Sequence, residues 1–152
     1  SAKVAAIGAV TGLFPEALAA TCAPARPVPV MMIYGVEDPL MPYAGGELPL
    51  GAGGRVLSAA DSRARWAAID RCPAQHTRPV PDAAPDDGTT ARSEEHLGCA
   101  GGAEVVMISV EGGGHTWPGG WQYLGERVIG RTSRDIDATA ALWRFFQRHA
   151  LP

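Results

Sequence analysis

Residues 105–120, VVMISVEGGGHTWPGG, join an apolar run to a glycine-rich loop that carries His115. The run 105–110 has no charged residue, which is typical of a strand in a parallel sheet covered on both faces. A second junction lies upstream, where the apolar run 28–34 is followed closely by Asp38. In open α/β sheets, functional groups gather beyond the carboxyl ends of the strands. The sequence therefore predicts an α/β fold with an acid loop and a histidine loop side by side.

The composition limits the classes of protein to which the chain can belong. Its 152 residues fit one domain or part of a larger one, and 46% of them are hydrophobic, enough for a core. The net charge of −3 gives no basic stripe, so we expect no nucleic-acid partner. No apolar run approaches the length of a membrane span, so we expect no membrane partner. Because the chain enters the apolar run 4–10 almost at once, we expect residues 1–152 to be a single partial domain.

Apolar runs alternate with helical patterns, which predicts parallel strands with flanking helices. Alanines and a cap at Ser58 favour a helix over 58–71. A second helix is expected over 135–149, with Ser133 as its cap and an apolar stripe on one side. The predicted stripe consists of Ile136, Thr139, Ala140, Trp143 and Phe146. The predicted strands are 4–10, 28–34 and 104–110, and a short helical turn is predicted over 15–20.

A strong turn signal, DAAPDDG at residues 82–88, separates two segments that favour strands. These segments, 75–81 and 89–96, predict a small β-hairpin at the surface, as an excursion from the main sheet. The aspartates of the turn lack the spacing of an EF-hand, so a solvated turn is favoured over a calcium site.

Three cysteines make an odd count. Cys72 and Cys99 flank the hairpin, and in an oxidising compartment they could form a disulfide that leaves Cys22 for a partner outside the chain. In a reducing compartment all three would be buried thiols. A zinc ion held by Cys72, His76, His96 and Cys99 is the alternative. We favour the disulfide and expect no metal and no cofactor.

His115 and Asp38 are the candidate catalytic residues. A histidine in a glycine-rich loop after a buried strand can serve as a general base, and an acid after a neighbouring strand can fix its tautomer. Glu37 is the alternative acid. No serine stands between glycines on a strand-to-helix turn, and the chain contains no G-x-S-x-G, so the nucleophile of a Ser-Asp-His triad is missing.

Trp117 and Trp121 border the histidine loop. Exposed aromatic rings there could stack on a sugar or phenolic ring and bind substrate. Both residues could equally pack against the rest of the protein, and the sequence favours neither substrate binding nor packing.

Two motifs, 35–46 and 112–120, resemble the acid and histidine motifs of the polyhydroxybutyrate depolymerase and feruloyl esterase group. These are secreted esterases of the α/β-hydrolase fold. The resemblance implies the C-terminal half of that fold, with Asp38 as triad acid and His115 as triad base. It places the nucleophile elbow upstream of residue 1, implies that Cys22 pairs with a cysteine of that missing part, and suggests a secreted or periplasmic location. Further segments that resemble the group are 26–30, 72–73, 86–89 and 131–138.

The leading hypothesis is a carboxylic ester hydrolase, with a polyester or an esterified plant polysaccharide as substrate. The 152 residues alone are expected to be inactive. The alternative is a catalytically inactive fragment that binds a ligand or a carbohydrate. The first strand should expose an edge, so the chain is expected to need the missing N-terminal half or self-association to complete the sheet.

Overall fold

The computed structural model describes residues 3–49, 51 and 53–151. Within this part of the chain, five strands form one sheet in the order β1-β2-β7-β6-β5, and β3 and β4 form a small ribbon. The strands are β1 (Ile7–Val10), β2 (Val30–Gly35), β3 (Gly46–Glu47), β4 (Arg55–Val56), β5 (Gln75–Pro79), β6 (Thr90–His96) and β7 (Val105–Glu111). The helices are α1 (Ala59–Ile69), α2 (Glu126–Ile129) and α3 (Ala138–Gln147), with short 3₁₀ turns at Glu16–Leu18 and Ala100–Gly102.

The sheet is mixed, which is compatible with an α/β fold but corrects the expected hairpin excursion. β1, β2 and β7 are parallel, whereas β6 pairs antiparallel with β7 and β5 pairs antiparallel with β6. The hairpin therefore continues the main sheet. A polar strand such as TARSEEH can take this position because an antiparallel strand near a sheet edge needs burial on one face only. Ala91 and Ser93 supply that buried face.

The core lies on both faces of β2, whose six residues are all buried. Met31 and Ile33 pack on the α3 side, and Met32 and Tyr34 pack on the opposite side, which includes Ala59 of α1. Successive side chains of a strand point to opposite faces, so a strand covered twice must be apolar at every position. This requirement explains why the apolar runs located β2 and β7 correctly.

The predicted cap of α3 is wrong, and its predicted stripe is right only in part. The side chain of Asp137 accepts the backbone N–H of Ala140 and caps the helix, while Ser133 is buried and accepts a hydrogen bond from Thr89. The helix buries Ala138, Leu142 and Phe145. Of the predicted stripe, Ile136 and Phe146 pack against this cluster, whereas Thr139 and Trp143 are exposed. By contrast, Ser58 caps α1 as expected, with its side chain accepting from the Asp61 N–H.

A disulfide joins Cys72, just after α1, to Cys99, just after β6. The bonded sulfurs are not available as thiolates, so the alternative zinc site is wrong. The two cysteines are 27 residues apart, and closing a loop of that length stabilises the fold by roughly 3.5 kcal/mol on the chain-entropy model. Cys22 carries a free, half-buried thiol. No helix among the described residues is both long and apolar enough to cross a bilayer.

Candidate active site

Asp38 lies three residues beyond the end of β2, in a loop that its own side chain organises. Its Oδ1 atom accepts the backbone N–H groups of Leu40 and Met41, each at 2.8 Å. The side chain is only 2% exposed. Two N–H donors stabilise a buried carboxylate in its charged form and fix its direction. The second oxygen, Oδ2, is left to face the histidine loop.

His115 lies four residues beyond β7, and its Nδ1 atom is 2.9 Å from Oδ2 of Asp38. An ionised carboxylate only accepts, so in the neutral form of the imidazole this contact requires the proton on Nδ1 and leaves the lone pair on Nε2. The imidazole is 28% exposed, and Nε2 has no hydrogen-bond partner in residues 3–49, 51 and 53–151. Glu37, the alternative acid, is exposed and contacts the histidine loop through its backbone N–H to Gly113 O. The structure thus brings His115 to Asp38, not to Glu37.

Glycines allow the histidine loop to touch the end of β2 on one side and residues 129–130 on another, backbone to backbone. A Cβ atom on Gly35, the last residue of β2, would lie 2.3 Å from the carbonyl oxygen of Gly113. A Cβ on Gly114 would lie 2.0 Å from the carbonyl oxygen of Ile129. Any larger residue at either glycine would force these backbones apart, because real Cβ atoms do not approach oxygen so closely. The glycine-rich character of the loop is therefore a condition for the contact between Asp38 and His115.

The histidine loop is hydrogen-bonded to residues 129–131. The backbone N–H of His115 donates to Ile129 O at 2.6 Å, and that of Gly114 donates to Arg131 O at 3.0 Å. The hydroxyl of Tyr123 donates to the carbonyl oxygen of His115 at 2.8 Å. Sequence reasoning did not single out Tyr123, since a tyrosine in an irregular loop gives no periodic signal.

The described serines lie elsewhere and have other partners. Ser109 is buried inside β7 and bonds to Tyr43, and Ser62 accepts the Phe14 N–H. Ser58 accepts the Asp61 N–H at the start of α1, Ser133 accepts from the Thr89 hydroxyl, and Ser93 donates to Glu95. None of these five side chains bonds to His115, and Ser1 lies outside the described residues.

The two tryptophans are both exposed, on the loop that follows His115. Trp117 is 43% exposed, and its indole N–H donates to the hydroxyl of Thr139 at the start of α3. Trp121 is 84% exposed. Large aromatic rings left in solvent are candidates for binding a partner or ligand. No group of three or more His, Cys, Asp or Glu side chains in the described ranges could hold a metal ion.

No family model matches the sequence. The chain is 32% identical over 143 residues to "Putative esterase NocK" of Nocardia uniformis subsp. tsuyamanensis, covering 87% of this chain and 40% of that protein. It is 28% identical over 96 residues to "Feruloyl esterase B" of Piromyces equi, covering 62% of this chain and 16% of that protein. The chain thus spans less than half the length of either relative. Both names are those of esterases, which supports an esterase relationship in general. The grouping with polyhydroxybutyrate depolymerases remains a prediction.

Proposed function

We propose that the chain supplies the acid and the base of a Ser-Asp-His triad in a carboxylic ester hydrolase. One observation carries the proposal. A buried carboxylate and a partly exposed imidazole meet at 2.9 Å beyond the carboxyl ends of two neighbouring parallel strands. The side chain of Asp38 also holds its own loop, so the pair is preorganised. The similarity to two esterases agrees with this chemistry.

In this mechanism Nε2 of His115 takes the proton of a serine hydroxyl while the serine oxygen attacks the ester carbonyl. The protonated imidazole then gives that proton to the departing alkoxide oxygen, and an acyl-enzyme remains. Water then attacks the acyl carbon while His115 takes its proton, the bond from that carbon to the serine oxygen breaks, and the imidazolium returns the proton to the serine as the carboxylic acid leaves. Asp38 stays ionised throughout and stabilises the imidazolium through its hydrogen bond to Nδ1.

The serine and the oxyanion-binding amides would come from sequence outside these 152 residues, so residues 1–152 would be one partial α/β-hydrolase domain. Two features support this. β1 pairs with β2 alone among the described strands, which leaves its other edge open. Beside β1 lies an apolar cavity of about 200 Å³, lined by Ile7, Phe14 and Trp66 among others. The missing N-terminal half, or a second copy of the chain, would cover both.

The proposed substrates are polyesters or esterified plant polysaccharides, with Trp117 and Trp121 as the aromatic surface that binds them. The name of the Piromyces relative favours a feruloyl ester among these. The proposed location is secreted or periplasmic, and the Cys72–Cys99 disulfide supports it because such bonds persist in oxidising compartments.

The test uses the natural polypeptide that carries this sequence, with 4-nitrophenyl butyrate and methyl ferulate as substrates. We expect saturable hydrolysis, and His115→Ala should reduce kcat by roughly 10³-fold or more, as for other triad members. His76→Ala is the matched control, because His76 is an exposed histidine on the hairpin. Full activity in the His115→Ala variant would exclude the proposed role.

The alternative function is a catalytically inactive domain that binds a ligand or carbohydrate. The exposure of Trp117 and Trp121 favours it. It predicts that the same polypeptide binds insoluble xylan or polyester particles without turning over either ester. Trp121→Ala should then weaken the binding by several-fold, since ring stacking contributes on the order of 1 kcal/mol. Measurable turnover that depends on His115 would exclude this alternative.

A further inference from the structure

We propose that Gln122 is a positioning residue for His115 and acts through the backbone segment 129–132. The inference rests on the proposed function, because the position of His115 matters to the reaction only if His115 is the base. The side-chain amide of Gln122 bonds to two backbone groups of that segment, and the segment in turn carries the histidine loop.

The inner side of segment 129–132 faces the histidine loop. The carbonyl oxygens of Ile129 and Arg131 accept the N–H groups of His115 and Gly114. Arg131 O also accepts the hydroxyl of Thr116, at 3.1 Å. These three bonds link consecutive residues of the loop, 114–116, to alternate carbonyls, as between neighbouring β-strands.

The outer side of the same segment is taken by Gln122. Its Nε2 donates to the carbonyl oxygen of Gly130 at 3.0 Å, and its Oε1 accepts the N–H of Thr132 at 2.9 Å. Nε2 also donates to Leu124 O at 2.7 Å, which fixes the loop from which the glutamine comes. One side-chain amide thus occupies the place that a further strand would take, and satisfies groups that alternate with those used by the histidine loop.

Segment 129–132 and the histidine loop are in close contact. A Cβ atom on Gly130 would lie 2.5 Å from the Cα of Gly114, so the two backbones are in direct contact. The next residue, Tyr123, donates to the carbonyl oxygen of His115. If the amide of Gln122 is removed, the buried residue Thr132 loses the acceptor of its N–H, and the segment must shift to recover one. A shift of the segment moves the backbone of His115, and with it the Nδ1 contact to Asp38.

The test compares Gln122→Leu with Gln75→Leu in the natural polypeptide that carries this sequence. Gln75 is the matched control because its amide also makes side-chain bonds, to Thr77 and Glu94, but on the hairpin. Two quantities are measured: kcat and KM for 4-nitrophenyl butyrate, and the Nδ1–H resonance of His115 after ¹⁵N-histidine labelling. For Gln122→Leu we expect kcat to fall roughly 10- to 100-fold with KM within about twofold, since a misplacement of about 1 Å can cost that much.

The Nδ1–H resonance of His115 should shift upfield or broaden in Gln122→Leu and stay unchanged in Gln75→Leu. An unchanged kcat and an unchanged resonance in Gln122→Leu would overturn the inference. If that variant does not fold, Gln122→Ala decides by the same criteria, because it also removes both the acceptor of the Thr132 N–H and the donors to the Gly130 and Leu124 carbonyl oxygens, and it introduces no branched side chain. If the unsubstituted polypeptide hydrolyses no ester, the proposed function fails, and the resonance alone decides whether Gln122 positions His115.

Discussion

The loop after β2 and the loop after β7 present the two halves of the candidate pair, and they are held in different ways. Asp38 fixes its own loop, since its Oδ1 accepts two backbone N–H groups from residues directly after it. His115 has no such local support. Its loop is bonded to residues 129–131 and to Tyr123, more than a helical turn further along the chain.

This difference indicates how each half should respond to substitution. A loop organised by its own side chain fails locally when that side chain changes. A loop supported by another segment fails when the close contact between the two backbones is lost, even where the substituted residue carries no chemistry. We therefore expect the loop after β2 to be disturbed most by substitution of Asp38. We expect the loop after β7 to be disturbed most by substitution of its glycines or of Gln122.

The largest effect is expected at Asp38, where two substitutions separate its two roles. Asp38→Asn keeps an oxygen for the N–H groups of Leu40 and Met41 but presents the wrong group to Nδ1, so activity should fall roughly 10³- to 10⁴-fold with little loss of stability. Asp38→Ala loses the backbone bonds as well and should cost a further 1–2 kcal/mol or so of unfolding free energy. Ester hydrolysis and urea unfolding measure the two. Equal stability of both variants would refute the idea that Asp38 organises its loop.

The next largest effect, on stability and activity, is expected from a substitution in the loop that carries His115. Gly114→Ala places a Cβ where only 2.0 Å separates it from Ile129 O, and should destabilise the protein by about 3 kcal/mol and impair hydrolysis. Gly12→Ala is the control, because its Cβ would lie 3.9 Å from Ala9 in ordinary contact. That variant should remain within about 0.5 kcal/mol of the unsubstituted protein. A Gly114→Ala protein as stable as Gly12→Ala would show that the two backbones have room to separate.

The smallest effect is expected from substitution of Asp70, which lies at the other end of β2 from the acid loop. Asp70 is fully buried, its Oδ1 accepts the N–H of Val28 just before β2, and its Oδ2 has no partner among the described residues. Burial raises the pKa of Asp70 from 3.8 to about 6, and the Val28 N–H opposes this rise. Above pH 6 both folded and unfolded states are ionised, so the full cost of burying the charge is present. Between pH 6 and 4 the folded state takes up the proton first, and stability rises as pH falls.

Asp70→Asn removes that ionisation while keeping an acceptor for Val28. The advantage of the variant in unfolding free energy should therefore shrink by about 2–3 kcal/mol as pH falls from 7.5 to 4. Unfolding in urea at each pH measures the difference, with Asp61→Asn as an exposed control. A difference independent of pH would mean that Asp70 titrates normally in the folded protein.

The sequence pattern predicted the elements that carry the pair but not all of their surroundings. Uninterrupted apolar runs located β2 and β7, because a strand buried on both faces admits no charge. The hairpin segments were also located, yet their pairing with β7 was not foreseen. The sequence of a polar strand does not indicate which other strand it will pair with. The predicted stripe of α3 was right only at Ile136 and Phe146, because the contacts with the sheet, not the helix sequence alone, decide which side is buried most deeply.

Local pattern alone therefore determined the two junctions of strand and loop, the residue types at their tips, and the hairpin that the Cys72–Cys99 pair encloses. These features depend on burial and backbone freedom over a few neighbouring residues. Tertiary structure alone decided that His115 meets Asp38 and not Glu37, that the hairpin extends the sheet, and that Gln122 bonds to segment 129–132. Each of these depends on which distant backbone groups come within hydrogen-bonding distance, and no short stretch of sequence records that.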